Sequence, residues 1–352
     1  MSYYFPSLLP SLESTKQVSD DLPFSFASGE QAIRVLLRSY QLPPGACVAL
    51  PLYVCDSLKQ AVLQEGLTPY YLDLKPGSSF WSEYNPATLE AAYVKAVILV
   101  HLYGFLHPDT DAIMQFCQTN RVPLLHDAAQ SYGINVSALT YGNGTVYSFG
   151  PGKSSTAACG AIAEGLSSSY YNKEVNATSE SFSVKERPKL FLKSRLYGYR
   201  FSVKDKLLQR FLPAEHNPER ITSMTTFQRR AANAVMKLIP EKAAQRKNNY
   251  MLLAKAVEKN VSLKICYDDG RGLYFKLIVH SNCQSDLLKK YLHQNQVSYF
   301  CLFDSLVIER ERFGNYPAFL KEAPAILEIS CEASVPLTEI KRVAELIEAF
   351  RP

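Results

Sequence analysis

The 352-residue chain lacks any C-x-x-C pair and any metal-type clustering of cysteine with histidine; its eight cysteines, at 47, 55, 117, 159, 266, 283, 301 and 331, are scattered. That pattern excludes a zinc ribbon or a dithiol redox centre and reads as reduced, mostly buried thiols of an intracellular protein. No run approaches the ~18 uninterrupted apolar residues of a membrane span. The first residues, Met1 to Pro10, have no basic segment followed by an apolar one, so a cytoplasmic location is expected. Sequons at Asn143 and Asn176 are then chance matches. There is no internal repeat or low-complexity tract, and no nucleic-acid-binding motif accompanies the net charge of +5.

What is present is a hydrophobic content of 47%, enough for a full core in one large domain with a smaller lobe. The positive charge is uneven. Lys185, Arg187, Lys189, Lys193, Arg195, Arg200, Lys204 and Lys206 crowd a stretch at about 170–212, with Phe182, Phe191, Tyr197, Tyr199 and Phe201 between them. Such an excursion is ordinarily a solvated face whose aromatics pack on the body, and it also suits an anionic partner such as a nucleotide diphosphate.

Hydrophobic periodicity divides the chain into an arm (1–27), a large domain (28–217, including the basic excursion) and a small C-terminal domain (218–352). A helix starts after Ser28-Gly29, and α/β alternation follows. Strands are expected at Cys47–Leu52, Pro69–Leu74, Ala96–Leu102, Val122–Asp127, Thr145–Phe149 and Ala161–Glu164, with helices including Ser57–Gln64, Ala87–Val94 and Thr110–Asn120. Short apolar strands separated by helices imply a mostly parallel sheet covered on both faces, with ligands outside the carboxyl ends of its strands. Beyond residue 218 a helical region from Met224 to Lys259, split near Pro240, precedes strands at Ser262–Cys266 and Leu273–Val279. Helices at Ser285–Gln294 and Leu337–Phe350 complete an α+β lobe.

The chemistry is concentrated in His126-Asp127-Ala128-Ala129-Gln130 and Tyr147-Ser148-Phe149-Gly150-Pro151-Gly152-Lys153. A lysine after a glycine-rich turn, a carboxylate at a strand end and a phosphate-sized backbone cradle are the parts that a pyridoxal phosphate (PLP) site needs. Lys153 is the amine that condenses with the cofactor aldehyde and then shuttles protons. Asp127 is the carboxylate that keeps the pyridine nitrogen protonated. The cradle is expected at Ser28-Gly29, where free N–H groups at a helix start favour an anion.

The segments HLYGF (His101 to Phe105), HDAAQSYG (His126 to Gly133) and YSFGPGK (Tyr147 to Lys153) resemble the DegT/StrS family of PLP-dependent aminotransferases, and the likeness thins but continues through Met224–Gln228 and Arg246–Tyr250. It implies a fold type I architecture and a homodimer. The implied reaction moves an amino group from glutamate or glutamine to a keto sugar nucleotide. The alternatives are a PLP aminotransferase acting on a non-sugar ketone or aldehyde, and a PLP-binding regulatory protein. By the same resemblance Lys153 forms the internal aldimine, Gln130 contacts the cofactor's phenolic oxygen and Ser148 its phosphate. His101 and His126 match no catalytic position and are read as structural. Three departures stand out. Glu30 follows Gly29 where the family has threonine or a small residue. The ring-stacking position falls on Cys55, with Tyr53 as the substitute. The family's asparagine motif before the Met224 helix is not recognisable in Arg220–Ser223.

Overall fold

The computed structural model describes residues 19, 21–22, 24–78, 80–134, 139, 142–150, 152–157, 159–175, 220–282, 284–306 and 315–352. Most of the basic excursion, from residue 176 onward, lies outside the described residues.

Five strands form the parallel part of the larger sheet: β2 (Cys47–Pro51), β3 (Thr68–Leu72), β4 (Ala96–Val100), β5 (Leu124–Asp127) and β6 (Gly144–Ser148). β7 (Ala161–Glu164) pairs antiparallel with β6, and β1 (Ser25–Phe26) antiparallel with β7. The order across the sheet is β1-β7-β6-β5-β4-β2-β3. β4, Ala-Val-Ile-Leu-Val, is buried at every position, as a strand covered on both faces must be. Helices α1 (Gly29–Ser39), α2 (Asp56–Gln64), α3 (Pro86–Ala91) and α4 (Thr110–Asn120) alternate with these strands, and α5 (Ser168–Glu174) follows β7. Ser28 caps α1, its hydroxyl accepting the Gln31 N–H at 3.2 Å.

The second sheet is wholly antiparallel. It contains β8 (Lys264–Ile265), β9 (Lys276–His280), β10 (Tyr299–Phe300) and β11 (Ile326–Ser330) in the order β10-β11-β9-β8. The strand expected from Leu273 begins only at Lys276, because the Leu273 N–H is taken by the Gly104 carbonyl of the large sheet's loop.

The expected break near Pro240 is absent. Helix α6 runs unbroken from Thr226 to Glu258, with Pro240 inside it and a capping box at Thr225 and Gln228. An interior proline costs a helix about 3 kcal/mol through its missing N–H and its clash with the preceding turn. Packing on both sides offsets this. Ala231, Ala232, Val235 and Ile239 pack with Phe149 and Ala157, while Tyr250, Leu253 and Val257 belong to the main core that also takes in β9 and β11. Helices α7 (Ser285–Gln294), α8 (Leu302–Ser305), α9 (Pro317–Glu322) and α10 (Leu337–Ala349) complete this lobe, and α10 packs along α6. No helix among the described residues is long and apolar enough to cross a membrane.

Candidate active site

Parallel strands β4, β5 and β6 end side by side, so the residues at and just beyond their carboxyl ends lie together at one end of the sheet, where ligands of such sheets bind. Asp127 is the last residue of β5 and is buried; its Oδ1 accepts the Ala129 N–H at 3.0 Å. Burial pushes the Asp127 carboxyl above the ordinary range, and the positive charge of Lys153, followed by the Ala129 hydrogen bond, pulls the other way. Asp127 and Lys153 are therefore close enough to interact.

Lys153 is half-buried on a turn held by its own hydroxyls. Thr156 Oγ1 accepts the Lys153 N–H at 3.0 Å and donates to the carbonyl of Lys153 or of Gly150, at 2.7 and 3.1 Å. Ser155 Oγ donates to the Ser148 carbonyl at 2.9 Å. Ser148, in turn, accepts the Gly150 N–H on its own hydroxyl at 3.2 Å.

The start of α1 meets the end of β6. A Cβ added to Gly29 would lie 3.6 Å from both Cβ and Oγ of Ser148. A helix N-terminus with its unpaired N–H groups thus sits against a serine hydroxyl, with a glycine between them that keeps the space small-residue wide. Glu30, next in the helix, is partly exposed in the first turn. Ser28 Oγ uses an acceptor lone pair on the helix cap, which leaves its O–H able to donate to an anion.

Gln130 is oriented from an unexpected quarter. The backbone N–H of Tyr103, a residue at φ +58°, donates to Gln130 Oε1 at 2.9 Å. Tyr103 is itself fixed by a buried hydroxyl chain. Tyr53 and Tyr103 share a hydrogen bond of 2.9 Å, the charge of the Glu328 carboxylate acts on Tyr103, and Lys276 donates to Glu328 at 2.5 Å. Tyr53 is fully buried in this chain, edge-on to Phe319. Cys55 sits at the start of α2, its Sγ 3.1 Å from Ser57 Oγ. The structure thus brings Ser28, Gly29, Ser148, Lys153, Asp127 and Gln130 to neighbouring strand ends, whereas the Tyr53 ring is committed to the core.

His101, His107 and His126 form a second buried set. His101 Nδ1 accepts the His107 N–H at 3.1 Å, which leaves its Nε2 to donate to His126 Nδ1 at 3.0 Å. Burial pushes all three down, His107 and His126 to about 4. They are neutral, and the stacked rings of His101 and His126 brace the ends of β4 and β5.

Several residues that brace the site went unnoticed in the sequence. Gln31 ties α1 to the segment before α6, its amide donating to the Arg220 carbonyl at 3.3 Å and accepting the Thr222 N–H at 3.0 Å. Arg246 and Glu332 form a buried ion pair whose guanidinium also reaches the Ser154 carbonyl at 2.8 Å. Arg246 opens a segment that resembles the family, but neither bracing role carries a local signal, because each acts through contacts made across long separations in the chain.

A large, mostly parallel sheet with the lysine turn between β6 and β7, joined to a small antiparallel α+β lobe, is the fold type I architecture of PLP-dependent aminotransferases. The structure aligns with a DegT DnrJ EryC1 StrS aminotransferase from Brucella abortus at a TM-score of 0.69 and 17% identity, covering 92% of this chain and 84% of that one. It aligns with NtdA from Bacillus subtilis, crystallised with its cofactor PMP, at a TM-score of 0.66 and 19% identity, covering 92% and 72%. Residues 18–187, just under half of the chain, match the model of the DegT/DnrJ/EryC1/StrS aminotransferase family.

Among curated relatives, a UDP-N-acetyl-3-dehydro-alpha-D-glucosamine 3-aminotransferase of Acidithiobacillus ferrooxidans is 33% identical over 138 residues, 38% of this chain and 36% of that protein. A 3-oxo-glucose-6-phosphate:glutamate aminotransferase of Bacillus subtilis is 32% identical over 130 residues, 36% of this chain and 28% of that protein. This chain thus spans about a third of the length of the curated relatives it matches.

Proposed function

We propose that the protein is a PLP-dependent aminotransferase that transfers an amino group from glutamate or glutamine to a keto sugar nucleotide. The observation that carries this reading is the meeting of Gly29, at the start of α1, with Ser148, beside a turn whose Lys153 interacts with Asp127. Those residues fit PLP. The α1 N-terminus with Ser148 would hold its phosphate, Asp127 its pyridine nitrogen, Gln130 its phenolic oxygen and Lys153 its aldehyde. When bound, PLP supplies an electron sink next to the carbon that gains or loses a proton.

The chain's own residues do the rest. Lys153 Nζ takes and returns that proton; its half-buried position keeps it within reach of the site without fixing it in the core. Asp127, buried and held by the Ala129 N–H, is arranged to favour a cation at its free oxygen. The neutral histidines behind it add no competing charge.

The two relatives named above, by their names, both act on keto sugars carrying a nucleotide or a phosphate, which supports an acceptor of that kind. A cytoplasmic homodimer, with a large domain at 28–217 and a small one at 218–352, goes with this reading; the two separate sheets support that division. The test is spectroscopic: the protein loaded with PLP should have a visible band that glutamate bleaches and a keto sugar nucleotide restores. Absence of any band removes the cofactor, and a band that no amino donor bleaches removes the aminotransferase.

A further inference from the structure

The lysine turn is not held by the large sheet alone. Ser154, the residue after Lys153, is fully buried, and its carbonyl accepts a hydrogen bond of 2.8 Å from Arg246 Nη2 on helix α6. Arg246 is buried to 1% exposure, and its other contacts go to Glu332, with Nε to Oε2 at 3.0 Å and Nη2 to Oε1 at 2.9 Å. Glu332 follows β11 of the small sheet. The loop that carries it is fastened to the same helix by Asn249, whose amide donates to the carbonyls of Cys331 and Glu332 at 3.3 and 3.0 Å.

We propose that Arg246 is a positioning residue for Lys153: held in one rotamer by Glu332, it fixes the Ser154 carbonyl and so sets where the lysine side chain leaves the turn. This rests on Lys153 being the reactive amine. The turn's own hydroxyls secure residues 148–150 and the two ends of the 153–156 loop, but Arg246 is what meets the Ser154 carbonyl. Without it a buried carbonyl would be left unpaired, and the turn would rotate toward another donor. A planar guanidinium meets a carboxylate with two N–H groups while aiming another at a third oxygen; an ammonium, donating from one point, does not span that arrangement. Small errors in placement of a reacting group carry large rate penalties.

The experiment uses Arg246→Met, Arg246→Lys and Glu332→Gln, with Lys259→Met as a control that breaks an exposed ion pair with Glu348. Hydrogen exchange of the cofactor-free protein is followed in the peptide covering Tyr147 to Ala157. The two Arg246 variants should speed exchange of that peptide by about tenfold or more and leave the β4 and β9 peptides unchanged. Loaded with PLP, they should lose about tenfold or more in kcat for glutamate with little change in KM, and the pH at which the visible band titrates should move. Wild-type exchange, titration and kcat in a folded Arg246→Met protein would overturn the proposal. If that variant exchanges fast throughout, Glu332→Gln decides: faster exchange confined to the lysine turn upholds the proposal, and an unchanged turn overturns it. Failure of the wild-type protein to take up PLP would strike the aminotransferase reading, while the exchange data would still decide whether Arg246 holds the turn.

Discussion

Tyr103 and Gln130 are joined by one hydrogen bond of 2.9 Å, from the tyrosine backbone N–H to the glutamine side-chain oxygen. With Oε1 committed in this way, Nε2 is the end of the amide that is left to donate. Gln130→Glu keeps the acceptor for Tyr103 and replaces the donor by a carboxylate facing an anionic phenolic oxygen. PLP affinity should fall by roughly 10- to 100-fold, the range for a lost hydrogen bond to a charged group. Spectrophotometric titration with PLP measures this, and unchanged affinity would mean that Gln130 does not touch the cofactor.

Lys153→Ala should abolish the visible band and turnover while leaving thermal stability within about 0.5 kcal/mol of the parent, because a half-buried side chain on a turn adds little to the core. Borohydride reduction of the PLP-loaded protein followed by peptide mass spectrometry should find the label on Lys153. Label on another lysine would end the assignment.

Asp127→Asn should retain some PLP and lose about 100-fold or more in kcat, since a neutral amide does not hold a proton on the ring by charge. Single-turnover reaction with glutamate reads this directly. Near-normal turnover would mean that another group protonates the ring.

Glu332 gives a pH signature. Burial, only partly offset by Arg246, pushes its carboxyl up to about 7, well above its value in an unfolded chain. The folded state then binds a proton that the unfolded state has released, so this group's contribution to stability is full below about pH 4.5 and is lost as pH rises through about 7. His107 and His126, pushed down to about 4, work in the opposite direction, losing stability as pH falls from about 6.5. Comparison with a variant isolates the Glu332 part. The difference in Tm between the parent and Glu332→Gln should move in the parent's favour as pH is lowered from 8 to 5, and a difference independent of pH would place the titration elsewhere.

A homodimer is expected from the family resemblance and from the aromatic-rich terminal arm and excursion, whose apolar residues need burial. Size exclusion with light scattering at micromolar concentration should give twice the chain mass. A monomer with PLP bound and active would mean that each subunit completes its own site.

The large sheet was legible because its strands are short apolar runs bounded by helices, and Asp127, Ser148 and Lys153 sit in one contiguous block at their ends. What stayed hidden depended on tertiary partners. β11 carries no such signal: Glu328 interrupts its apolar run, and that buried carboxylate is met by Lys276 of β9. Pro240 was read as a break because local propensity argues for one, whereas the packing of Ile239 on one side and Tyr250 on the other keeps the helix whole. Tyr53 was offered as a stacking ring on its position after β2; its hydroxyl bond to Tyr103 follows from the fold.

Helix α6 is 33 residues long, about 50 Å at 1.5 Å per residue. Its first half closes the small core behind Phe149, and its second half closes the core of the antiparallel sheet. It therefore acts as a beam common to both lobes. The stretch matched by the family model ends at residue 187, before this beam begins, so the Arg246 contact to the lysine turn comes from outside that stretch.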